Sequence, residues 1–292
     1  MANLRYAKIV QQTNRILSEY EYPLTLRQVY YRLVSQNTIP NTKSAYNSLS
    51  KMLVKAREVE DIDEERIEDR ARQAIESRAG YPSPSVFVQT MKAWFENSWQ
   101  RYSLDLWTSQ SFFVEIWVEK DALSSVFAHI AAPFRVTVCP SRGYASYTYI
   151  KRMAVDHRFS KAKARPIVIL HFADHDPSGL NMTDDLRKRF SKYSLDKIVT
   201  VKRIALTIEQ IRGYGLQPNP VKRADPRAEK YRRQFGDKCW ELDAMEPKDL
   251  QGTVEEALNQ HIDKKSWERG LAKERKDKNK LQSLFESAEI KL

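Results

Sequence analysis

PIVILHFADHDPSG, residues 166–179, is the stretch whose reading decides the fold. Its apolar, β-branched front, Ile167 to Phe172, reads as a buried strand. The run breaks at Asp174 and Asp176, and Pro177 follows at once. An aspartate before a proline is a helix start, with the carboxylate as cap and proline at the first helical position. A strand that passes through acids straight into a helix is half of a β-α-β unit. The same alternation continues on both sides. SFFVEIWVE (111–119), RVTVCP (135–140) and KIVTVKRIAL (197–206) are β-rich runs, and helical stretches at 120–130, 146–158 and 178–190 separate them. Strands alternating with helices predict an α/β fold with a parallel sheet. Beyond it come the polar VKRADPRAEKYRRQFGD (221–237), the strand-like CWELDAM (239–245) and a charged helix at 248–261.

Glu119 stands at the carboxyl end of the first of these strands and Asp174 at that of the third, the ends that converge on the ligand crevice of such sheets. Asp174 and Asp176, two apart in an extended turn, can face one ion. Three hard oxygen donors suit magnesium or manganese. The plainer reading leaves Asp176 as a helix cap and Glu119 with Lys120 as a surface pair. His175 alternates away from both aspartates, which predicts packing or hydrogen bonding rather than metal ligation. Lys120 and Arg142 flank these acids and are candidates for phosphate contact.

The front of the chain has another character. Residues 1–57 carry nine basic side chains against Glu19 and Glu21, and eight acids opposed only by Arg66 follow between Glu58 and Asp69. That acidic run reads as an exposed helix or a boundary. Thr25 and Gln28 fit a capping box before a helix at about 26–36. After the turn NTIPNT a second helix, about 43–57, buries Ala45, Leu49, Met52, Leu53 and Ala56 and shows Asn47, Lys51 and Lys55 outward. Such a pair is either a helix-turn-helix, whose second helix enters a DNA groove through Lys51 and Lys55, or a plain helical hairpin. Leu26, Val29, Tyr30 and Leu33 form one stripe of the first helix; Tyr30 is core and Tyr31 points off the stripe. Arg27 sits one turn before Tyr31. AGYPSPS (79–85) reads as a linker. The resulting division is a helix-turn-helix domain at 1–80, a linker and helix at 81–110, the sheet domain at 111–262, and a charged helix or tail at 263–292.

Composition sets the limits. The chain has 292 residues, 41% hydrophobic, and Lys plus Arg exceed Asp plus Glu by 49 to 38, a net charge of +11 that favours a polyanionic partner. Cys139 and Cys239 are too isolated for a zinc cluster and are expected to be reduced. The opening MANLRYAKIVQQ lacks a signal-peptide core and no run is long enough for a membrane helix, so the expectation is a cytoplasmic chain without membrane contact. None of the eight glycines belongs to a Walker phosphate loop.

VEKDAL (118–123), RGYAS (142–146) and DHDPSG (174–179), in this order and spacing, resemble the Toprim domain of topoisomerase VI A subunits and the meiotic double-strand-break transesterases. TLRQVYYRL (25–33) resembles the Arg-x-x-Tyr-Tyr signature of their winged-helix domain. The likeness covers about residues 20–205, with ELDAM (241–245) as an extension, and is nearest to the short stand-alone mini-A proteins. Ala145 replaces the proline usual in the second motif. The resemblance implies a winged helix followed by a Toprim domain, and magnesium or manganese on Glu119, Asp174 and Asp176. It implies a catalytic set of Tyr31, Arg27 and Glu119, with Tyr31 attacking double-stranded DNA to give a 5′-phosphotyrosyl link. It also implies a homodimer, and any ATP-driven strand passage would need a separate ATPase partner. Two alternatives stay open: a hydrolytic Toprim nuclease, and a DNA-binding protein that cuts nothing.

Overall fold

The computed structural model describes residues 2–68, 80–141, 150, 165–222 and 225–287. The chain forms two compact units, Met1–Arg72 with Phe113–Gln260, and Gln73–Phe112 with His261–Leu292.

In the first unit, helix α1 (Ala2–Ser18) leads to a short strand β1 (Leu24–Thr25), then α2 (Leu26–Ser35) and α3 (Lys43–Glu58). The expected capping box closes α2: Gln28 N–H donates to the Thr25 hydroxyl and Thr25 N–H to the Gln28 side chain, at 3.2 and 2.9 Å. The Tyr30 hydroxyl donates to Asn41 Oδ1 at 3.0 Å and so ties α2 to the turn before α3. The acidic run begins on the last residue of α3, Glu58, and continues through one 3-10 turn (Glu64–Arg66) into the strand β2 (Ile67–Glu68), which pairs in parallel with β1; among its described residues after Glu58 no α-helix forms. The Arg66 guanidinium donates to the carbonyls of Leu17 and Tyr20.

Strands β3 (Phe113–Val118), β4 (Thr137–Pro140), β5 (Ile167–Phe172) and β6 (Val199–Ala205) form the expected sheet, all parallel, in the order β4-β3-β5-β6. The fold is therefore mixed α/β with a four-stranded parallel sheet flanked by helices. Helices α5 (Ser124–Ala131) and α6 (Pro177–Lys192) occupy the predicted crossovers, and α4 (Pro84–Asn97) belongs to the other unit. Of the helix expected at 146–158, only Ile150 lies within the described residues. Every residue of β5 is buried, as a central parallel strand covered on both faces requires. On one face Trp117, Ile169 and Val201 pack with Leu186 and Phe190 of α6. On the other, Phe172 meets Phe127 of α5 with ring centroids 4.7 Å apart. Farther along come α7 (Ile208–Gly213), the antiparallel pair β7 (Asn219–Pro220) and β8 (Lys238–Cys239) with α8 (Ala228–Phe235) between them, and α9 (Pro247–Asn259). The predicted strand at 239–245 is only β8's last residue followed by a 3-10 turn, Leu242–Ala244.

The second unit is helical. Ser83 caps α4, with Pro84 in its first turn, inside the expected linker. The C-terminal α10 (Lys264–Ser287) is a packed helix rather than a loose tail: Trp267 meets Trp107 edge-on at 5.5 Å, and the buried Glu274 carboxylate accepts Leu104 N–H at 2.7 Å. Among the described residues no helix is long and apolar enough to cross a membrane.

His171 shows how tightly the sheet is covered. It is 1% exposed, with Nδ1 2.9 Å from the Thr183 hydroxyl. Burial, helped by Arg203 and Arg187, holds its imidazole down to about 3. The folded value lies below the unfolded one, so the unfolded chain takes up a proton that the fold refuses; the stability present above pH ~6.5 is lost as pH falls toward 3. His171→Asn keeps a group to bond Thr183 but cannot titrate. Between pH 7 and 5 its urea-unfolding free energy is expected to fall about 2 kcal/mol less than that of the wild type. Equal losses would show that His171 does not carry this acid sensitivity.

Candidate active site

The order β4-β3-β5-β6 turns outward in both directions from β3 and β5, which makes the crevice beyond their carboxyl ends the topological switch point where such sheets bind ligands. Glu119 and Asp174 emerge on its two sides. Glu119 N–H donates to Phe172 O at 2.9 Å, and the Glu119 carboxylate accepts Asp174 N–H at 3.1 Å, so the two strand ends clasp each other. Asp176 caps α6 through Gly179 N–H at 2.6 Å, the local role expected of an aspartate before proline. Glycine at 179 is required by close approach: a Cβ there would lie 2.2 Å from the Asp174 carbonyl oxygen.

The loop is also held from below. The Arg203 guanidinium donates to the carbonyls of Ala173 and Asp174 at 3.0 and 2.6 Å, and to Gly179 O and the Thr183 hydroxyl at 3.0 Å. Burial draws its guanidinium down to about 10, against the pull of Glu119, Asp174 and Asp176. His175 is buried, with Nδ1 2.9 Å from the Tyr231 hydroxyl and its ring edge-on to Phe235, the packing role expected of it.

Above the loop lies a network of charge. Lys120 Nζ stands 3.0 Å from Asp174 Oδ1, 3.0 Å from Glu241 Oε2 and 2.8 Å from Asp243 Oδ2. Arg27 of α2 grips the same two later acids, Glu241 and, at 3.1 Å, Asp243. Leu242 N–H donates to Asp174 Oδ1 at 2.8 Å and locks the acids of residues 241–243 onto the strand end. Lys120, expected at phosphate, and Arg27, expected beside Tyr31, are thus committed to carboxylates. The carboxylates outnumber the cations. Burial and the neighbouring Asp174 push the Glu119 carboxyl up to about 7; burial, with Asp243 and Glu241, outweighs Lys120 and lifts Asp174 to about 6. Burial also pushes Glu241 up, but Lys120 and Arg27 outweigh it and leave that carboxyl below its usual range.

Tyr31 does not project into solvent as the helical phase predicts. It is 6% exposed, because the chain around residues 214–219 and 244–246 covers that side of α2. Its hydroxyl accepts the Asn219 amide N–H at 3.0 Å, and the Arg27 guanidinium carbon lies 6.0 Å from its ring centroid. Burial raises the phenol above its ordinary value, with Glu241 adding; Asn219 and Arg27 act the other way. Lys51 and Lys55 are exposed on α3 as expected. Arg142 lies outside the described residues.

Glu241, Asp243, Asn219 and Arg203 are the members of this site that sequence reasoning missed. Two acids at alternate positions in the apolar WELDAM and a lone arginine in the apolar KRIAL were the available signals; nothing in the sequence singles out Asn219. Among the described residues no group of three or more His, Cys, Asp and Glu side chains is arranged to hold a metal ion. The donor chemistry nonetheless fits a hard cation, since Glu119 and Asp174 offer oxygen donors, and burial first, with neighbouring acids adding, raises both carboxyls. Compared with models of known protein families and with curated proteins, the chain gives no match.

Gly179→Ala forces a methyl group against backbone that has no rotamer to change. The expected cost is about 2–3 kcal/mol in urea unfolding, with faster amide exchange at Asp174 and Leu242. A variant as stable as the wild type would mean that the Asp174 turn yields easily.

Proposed function

We propose that this chain cleaves DNA by transesterification, with the Tyr31 phenol as nucleophile and a Toprim-type acid cluster, Glu119, Asp174 and Asp176, as the holder of magnesium or manganese. The observation that carries the reading is the setting of the Tyr31 hydroxyl. It accepts from Asn219 and lies beside Arg27, and Arg27 runs through Glu241 and Asp243 to Lys120 and Asp174. A tyrosine serving only the core needs no cation anchored beside its ring. Burial raises the phenol, and Asn219 and Arg27 act against that rise, toward the phenolate that attack requires.

In this reading the Tyr31 oxygen forms a bond to phosphorus, the phosphorus–O3′ bond breaks, and the 3′ oxygen leaves as a hydroxyl while the 5′ end stays on the protein. The phenol loses its proton to solvent, the leaving 3′ oxygen takes one from solvent, and Arg27 stays beside the Tyr31 ring. Glu119, Asp174 and Asp176 would hold the metal, which when bound supplies charge neutralisation to the phosphodiester. The exposed Lys51 and Lys55 supply backbone contacts to the duplex. Since the hydroxyl is bonded to Asn219 in the free protein, engaging a phosphodiester requires the Asn219 side chain to turn away. One tyrosine cuts one strand, so a double-strand break takes two copies. Any ATP-driven strand passage would fall to a separate polypeptide.

The burial of Tyr31 favours a second reading, a hydrolytic nuclease in which the acid cluster activates water and Tyr31 is structural. The two part at Tyr31→Phe, which removes one oxygen and leaves the ring. Transesterification predicts that wild-type protein becomes linked to labelled DNA under denaturing conditions and that Tyr31→Phe loses both link and cleavage while still binding DNA. Hydrolysis predicts protein-free ends in both proteins.

The metal has its own test, for which Asp174→Asn is preferable to alanine because it preserves an acceptor for Leu242 N–H. Magnesium is expected to raise the melting temperature of the wild type in proportion to the logarithm of its concentration above Kd, and to leave Asp174→Asn unmoved and inactive. An equal magnesium response in both proteins would take Asp174 out of the metal site.

A further inference from the structure

A cavity of about 240 Å³ adjoins the candidate nucleophile, with Tyr31, Arg32, Tyr214, Leu216, Met245 and Glu246 in its wall. Its charge is already matched: Arg32 pairs with Glu246 and, at 3.2 Å, with Glu19. Such a wall attracts phosphate weakly. What it offers instead is two phenol rings, a thioether and a leucine, a surface suited to a flat ring system. The volume falls below the ~300–1,000 Å³ usual for pockets that enclose drug-sized ligands. One base fits that scale better than a whole nucleotide.

Tyr214 is the exposed ring of the wall, 42% accessible. It follows α7, whose first turn is closed by a Thr207–Gln210 capping box. Gly215 comes next at φ +60, a conformation that suits glycine and costs other residues. Leu216 O accepts the Trp240 indole N–H at 3.1 Å and anchors the far side of the turn. An aromatic ring presented to solvent on a turn fixed at both ends is a stacking platform, and the amide of Gln217 lies within the same wall.

We infer that this cavity takes one unstacked nucleobase of the bound strand against the Tyr214 ring, making Tyr214 the positioning residue that sets the adjoining phosphodiester at Tyr31. The inference rests on DNA being the substrate, as proposed above. The full chain is titrated, without divalent ions so that nothing is cut, with a short single-stranded oligonucleotide carrying 2-aminopurine. Wild-type protein is expected to change the fluorescence of the analogue. Tyr214→Ala should bind roughly 5- to 100-fold more weakly and lose the signal, and Tyr214→Phe should restore both. Ala244→Phe, which fills the cavity with Tyr214 intact, should also lose the signal. Equal affinity and equal fluorescence change in wild type and Tyr214→Ala would overturn the pocket. A wild type that gives the signal but never links to DNA when magnesium is added keeps the pocket and removes the transesterase reading. A wild type that binds no oligonucleotide removes both.

Discussion

The Lys120 ammonium draws together carboxylates from parts of the chain that no local rule connects: Asp174 at the end of β5, and Glu241 and Asp243 nearly seventy positions later. Arg27 joins from α2 by holding the same later pair. Charges withdrawn from water are costly unless matched, and removing one partner of such a group leaves the others stranded at several kcal/mol. The helix that carries Tyr31, the strand end that carries Asp174 and the 241–243 turn therefore stand or fall as one electrostatic body. The clasp between Glu119 and Asp174 N–H, and the carbonyls gathered by Arg203, orient the acids within it.

This arrangement costs the free protein stability. Glu119 and Asp174 titrate near 7 and 6, above the usual carboxylate range. A group raised in the fold stabilises it in the protonated form, and that contribution disappears as pH rises through about 6 to 7. At neutral pH the cluster holds more negative charge than the fold would choose. Natural sites accept that penalty where function needs it, and in the proposed reading a divalent cation would relieve it.

What could be read from the sequence was local. The strand-acid-proline-helix pattern of 166–179, the capping box at Thr25 and Gln28, and the periodicity of α3 each depend on residues within a few positions of one another, and each appears where expected. What could not be read depends on distance. Asn219 meets Tyr31 across 188 positions, and no periodicity reports such a meeting. The helical wheel assumes one covered side, whereas α2 is covered on two, and so Tyr31 is buried. The charged stretch at 263–292 reads as a helix or tail because most of α10 faces water; the few residues that fasten it, Glu274 and Trp267 among them, are too sparse to form a pattern.

The pairing of Arg32 with Glu246 spans 214 positions, and this bears on how the protein comes into being. During synthesis the helix bearing Tyr31 emerges early and the residues that cover and neutralise it emerge late. Until then Arg27 and Tyr31 lack Glu241, Asp243 and Asn219, Arg32 lacks Glu246 and has only Glu19, and contacts closed over such long loops form slowly. The candidate nucleophile is therefore assembled by the last part of its own unit to be made, and a nascent or truncated chain that stops short of residue 241 carries the tyrosine without the acids that set its surroundings.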